Sequence, residues 1–77
     1  MRELAWAGLE AAIIELERVL PPGWSLESLR RVGRLGEWCA TAEHRGARIT
    51  SPSRPTMHGA VMALRDRVRQ EFPGVAA

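Results

Sequence analysis

Proline and glycine divide this chain into short pieces, and that division constrains the fold more than any other feature. Pro21-Pro22-Gly23 stops a helix sharply, because proline lacks the backbone donor and clashes with the preceding turn. Ser51-Pro52-Ser53-Arg54-Pro55 forbids a regular strand ladder. Pro73-Gly74 ends the last periodic stretch, leaving Val75-Ala76-Ala77 as a tail expected to fray. With 77 residues in all, residues 1–77 are expected to form a single domain with one core. A hydrophobic content of 45% is too high for a disordered chain.

Residues 2–20 read as a helix. Ala5, Trp6, Leu9, Ala12, Ile13, Leu16, Val19 and Leu20 recur at three- and four-residue steps, as one apolar face requires. Residues 24–32 carry two patterns. Trp24 and Leu26 alternate with Ser25 and Glu27 as in a strand, whereas Leu26, Leu29 and Val32 keep a helical step of three. The turn framed by Gly33 and Gly36 favours the strand. So does the clear alternation after it, with Trp38, Ala40, Ala42 and His44 on one face and Cys39, Thr41 and Glu43 on the other. Arg45-Gly46 reads as a second turn and Ala47–Thr50 as a short third strand. Thr56 is placed to cap a helix over 57–71 whose stripe is Met57, Val61, Leu64, Val68 and Phe72. The expected fold class is α+β: an N-terminal helix, a two- to three-stranded antiparallel sheet and a C-terminal helix, with the helices on one face. Trp24 and Trp38 are expected on neighbouring strands as core anchors.

The α-β-β-β-α order resembles a double-stranded-RNA-binding domain over the whole chain. Ala60-Val61-Met62-Ala63-Leu64 is similar to the alanine-rich core face of that family's last helix. The resemblance implies nucleic-acid binding. The family's lysine cluster and Gly-Pro-His turn are replaced here by Pro55-Thr56-Met57-His58-Gly59 and Gly33-Arg34-Leu35-Gly36, so its contacts do not carry over. Glu37 to Arg69 also resembles the sheet-plus-helix modules of HicB-type antitoxins, which implies a toxin-neutralising regulator. In kind, the chain resembles compact α+β regulators of phages and mobile elements, anti-CRISPR inhibitors among them. That likeness implies a protein or nucleoprotein complex as partner.

Charge is segregated. Residues 1–20 carry two Arg against four Glu, a net of −2, and residues 21–55 carry six Arg against three Glu, a net of +3. All 11 basic residues are Arg, whose planar fork pairs bidentately with carboxylate and phosphate. Arg30, Arg31 and Arg34 surround the first turn; Arg45 and Arg48 surround the second. On the first helix Leu4, Ala7, Ala11 and Ile14 form a second apolar row roughly opposite the core face, flanked by Glu3, Glu10, Glu15, Glu17 and Arg18. Such a row suits a homodimer or partner contact, or is an alanine-rich helix with two incidental apolar residues. The basic turns suit an acidic protein patch or phosphates, or are simply a solvated surface. The last helix presents His58, Met62, Arg65 and Arg69 in one row, with Arg67 and Glu71 spaced as an ordinary surface pair and Asp66 between two arginines.

Catalysis finds little footing. Cys39, the one cysteine, is expected mid-strand as a buried, inert thiol on the face opposite His44. Cys39, His44 and His58 lack metal-ligand spacing, and no phosphate loop or nucleophile elbow occurs. No catalytic residue, metal or cofactor is expected. No apolar run approaches the ~20 residues of a membrane span. The N-terminus lacks a secretion pattern and no internal disulfide is possible, so a cytoplasmic setting without a membrane partner is expected. The expected function is that of a small non-catalytic module, a phage-type inhibitor or regulator binding a protein or nucleoprotein complex, with direct nucleic-acid binding or an antitoxin role as alternatives.

Overall fold

A computed structural model describes the backbone of residues 2–74 and the side chains of residues 8–74. The elements follow in the order α1 (Arg2–Val19), β1 (Ser25–Val32), β2 (Glu37–His44), β3 (Ala47–Thr50) and α2 (Met57–Glu71). The sheet is antiparallel, with β2 between β1 and β3. The helices lie on one side of it: α2 rests on the strands and α1 packs along α2. They run in the same direction, since Gly8 lies beside His58 and Glu15 meets Arg65 at 3.7 Å.

The core is formed by Leu9, Ala12, Leu16 and Val19 of α1, by Ala40 and Ala42 of β2, and by Ala60, Val61, Leu64 and Val68 of α2. Alanines at the centre of β2 let α2 approach the sheet closely. Leu16 and Leu64 are fully buried, and each such side chain contributes about 1.5–3 kcal/mol. Thr56 caps α2 as expected, its hydroxyl accepting from the Gly59 N–H at 2.9 Å.

β1 resolves the conflicting patterns of residues 24–32. Leu26 lies opposite Ala42 and Leu29 opposite Ala40, with a register shift between Leu26 and Ser28. Glu27 is the extra residue of a β-bulge, which allows two residues three apart to face one core. The helical step was therefore the signature of a bulged strand.

Trp24 and Trp38 do not sit on neighbouring strands, because β1 begins only at Ser25. Trp24 precedes β1 at one end of the sheet, with its ring centroid 5.7 Å from that of His44 and 5.5 Å from that of Phe72. Trp38 sits at the other end, opposite Arg31. The antiparallel register separates them, and each closes one end of the core. Pro21-Pro22-Gly23 forms a turn closed by the Trp24 N–H on the Pro21 carbonyl (3.1 Å), with Gly23 at φ 91°. His44 Nδ1 donates to the Gly23 carbonyl at 2.8 Å and fastens this turn to the end of β2.

The proline-rich loop after β3 breaks the ladder but does not leave the sheet. Ser51 accepts the Ala40 N–H on its side-chain oxygen (3.0 Å) and donates its own N–H to the Ala40 carbonyl (2.8 Å). Arg54 then rejoins β2 through paired backbone bonds with Trp38.

Candidate contact surfaces

Register decides which arginines share a surface. The β1–β2 turn and the β2–β3 turn lie at opposite ends of β2, so the two basic turns do not form one patch. Arg45 occupies the second turn with φ 49°, beside Gly46 at φ 87°. Positive φ at both central residues is what a tight type I′ hairpin demands.

Arg48 lies on the sheet face away from the helices, opposite Glu43, and reaches across β2 to Glu27 at 3.1 Å. This strap spans the sheet over β2. On the same helix-free face Thr41 is only 6% exposed, and its hydroxyl is 3.1 Å from that of Thr50. Arg30 shares this face, opposite Cys39. With Glu27, Ser28, Thr41, Arg48 and Thr50 it lines a shallow depression of about 330 Å³. Cys39 is half-buried rather than buried, because no helix covers this face, and its Sγ lies 3.6 Å from Ser53 Oγ. His44 belongs to the opposite face, as alternation requires.

The first turn builds a different surface. Gly33 (φ 72°) and Gly36 (φ 68°) bracket Arg34-Leu35, and the Gly36 N–H points at the Gly33 carbonyl at 3.4 Å. Positive φ at both brackets is the conformation glycine tolerates without strain. Arg31 lies over the Trp38 ring, 5.7 Å from its centroid, and its guanidinium also covers Gly36. The backbone pairing of Trp38 with Arg54 brings a third arginine to this end. Next to it α2 begins, with no acidic residue in its first turn. Leu35 projects from the tip at 89% exposure. Arg54 and Leu35 had not been singled out. Arg54 enters through a non-local bridge, but an apolar residue between two turn glycines was a readable signal.

On α1, Glu10, Ala11 and Glu17 are exposed and Ile14 is 51% exposed, so this part of the second apolar row faces away from the core. The side chains of Leu4 and Ala7 lie outside the described residues. Along α2, Arg65 pairs with Asp66 (2.9 Å) and Glu15 (3.7 Å). The spacing of Arg67 and Glu71 had suggested a surface pair. No such pair forms, because Arg67 turns to the Thr50 carbonyl at 3.4 Å.

Among the described residues no group of three His, Cys, Asp or Glu side chains is placed to hold a metal ion, and no helix is long and apolar enough to cross a membrane. Comparisons with protein-family models, curated proteins and solved structures find no match to this chain.

Proposed function

We propose that this chain is a non-catalytic binding module that docks on a protein or nucleoprotein partner through the Gly33–Gly36 tip, in the manner of a phage or mobile-element inhibitor of the anti-CRISPR kind. The observation that carries the reading is the tip itself. A large apolar side chain is held almost fully in solvent on a tight turn, next to exposed Arg34, with Arg31 and Arg54 at Trp38 on the same end of the sheet. Leucine carries no hydrogen-bonding group to read base edges, whereas burying it in a pocket of a protein is favourable. Arginines around an apolar anchor suit a pocket rimmed by carboxylates. A turn that is already ordered loses little conformational freedom on docking.

Direct binding to nucleic acid is the second reading. It draws on Arg54 lying beside the first turn of α2, where oriented backbone N–H groups favour phosphate, and on the further positive charge of Arg31 and Arg34 at the same end of the sheet.

The test uses immobilised wild-type protein, Leu35→Asp and, as a control at a site away from the tip, Arg45→Asn, with extracts of cells carrying the partner. A protein retained by wild type and Arg45→Asn is then purified and titrated. The expected result is at least tenfold weaker binding by Leu35→Asp and by Arg34→Glu. A partner bound equally by all variants overturns the tip as the docking surface.

A further inference from the structure

Among the described residues two large apolar side chains stand out in solvent, Ile14 at 51% and Leu35 at 89%. They belong to surfaces of opposite sign. Ile14 shares its stretch of α1 with exposed Ala11, Glu10 and Glu17 and with exposed Arg18, which is paired with Glu15 at 3.7 Å, while Leu35 sits beside exposed Arg34 and Arg31. The α1 surface offers a small residue where a neighbour can approach closely, with carboxylates at its edge. Space beside the tip is open: a Cβ at Gly33 would meet nothing within 4 Å.

We infer that these two surfaces are complementary and that the Arg34-Leu35 tip of one copy docks on the Ala11–Ile14 face of a second. Leu35 would cover Ile14 and Ala11, and Arg31 and Arg34 would face Glu10 and Glu17. The contact joins unlike surfaces, so it differs from a pairing of α1 with α1, which brings glutamates toward glutamates. Its charge pairs lie at the rim, so association weakens as salt screens them. The inference is independent of the partner's identity. If the tip also docks on a partner, the two associations compete for Leu35.

Sedimentation velocity across protein concentration, at about 50 mM and about 500 mM salt, tests it. Wild type is expected to associate reversibly at low salt and to revert to monomer at high salt. Leu35→Asp, which spoils the tip, and Ile14→Glu, which spoils the face, each stay monomeric while circular dichroism shows them folded. Mixed one to one, they form a heterodimer, because one intact tip and one intact face remain. A wild-type chain that is monomeric throughout, a salt-insensitive dimer, or a mixture that stays monomeric overturns the inference.

Discussion

Replacing Ser51 with alanine removes a single oxygen atom, and the structure gives the consequence in some detail. Ser51 is only 4% exposed, and its hydroxyl accepts the Ala40 N–H at 3.0 Å while donating to the Pro52 carbonyl at 3.0 Å. Ala40 is fully buried under α2, so its N–H has nowhere else to turn once the oxygen is gone. Losing the hydrogen bond costs about 1 kcal/mol, and a buried donor left without an acceptor costs about 1–3 kcal/mol in all. A central value of about 2 kcal/mol lowers the melting temperature of a domain of this size by roughly 8–16 °C. Thermal and urea unfolding followed by circular dichroism measure this. Ser53→Ala is the control, because Ser53 is exposed and lies in the same loop. Its change should stay within about 0.5 kcal/mol. A Ser51→Ala loss as small as that of the control refutes the claim that a side chain replaces the missing rung of the ladder.

One further substitution and one deletion test other parts of the fold by the same unfolding assays. Gly23→Ala forces a Cβ onto a residue at φ 91° and into the His44 ring, and is expected to cost about 1–3 kcal/mol; an unchanged stability would show that the His44 clasp yields freely. Deleting Glu27 removes the bulge but leaves Leu26 and Leu29 two apart, still opposite Ala42 and Ala40, so the core is kept and the expected loss, that of the Arg48–Glu27 pair, stays within about 1 kcal/mol; a loss of about 3 kcal/mol or more would show that β1 needs the bulge itself.

The parts of the fold that were legible in sequence are those governed by local physics. Both helices follow from apolar periodicity and from breakers at Pro21 and Pro73, and the third strand follows from Arg45-Gly46 and the prolines after Thr50. The first strand was harder, because a bulge at Glu27 gives a strand the apolar spacing of a helix. The separation of Trp24 from Trp38 was hidden for a different reason. Adjacent strands do not place residues side by side unless the register does so.

The candidate surfaces were legible to the extent that they are local. Exposure of Ala11 and Ile14 follows from helical spacing. The five turn arginines look like one population in sequence, yet β2 keeps the two turns apart, and Glu27 engages Arg48. Arg54 joins Arg31 at Trp38 through a backbone bridge, a contact with no local sequence signal.

The measurement that bears most directly on docking through the tip is fluorescence anisotropy of labelled mixed-sequence duplex RNA and DNA, titrated with wild type and with Arg31→Glu plus Arg34→Glu from low to physiological salt. No saturable binding is expected at physiological salt, and only weak association at low salt that Leu35→Asp leaves unchanged. Tight duplex binding that falls steeply with salt and vanishes in the double arginine variant would contradict it. The basic end would then be a phosphate-binding surface rather than the rim of a protein contact.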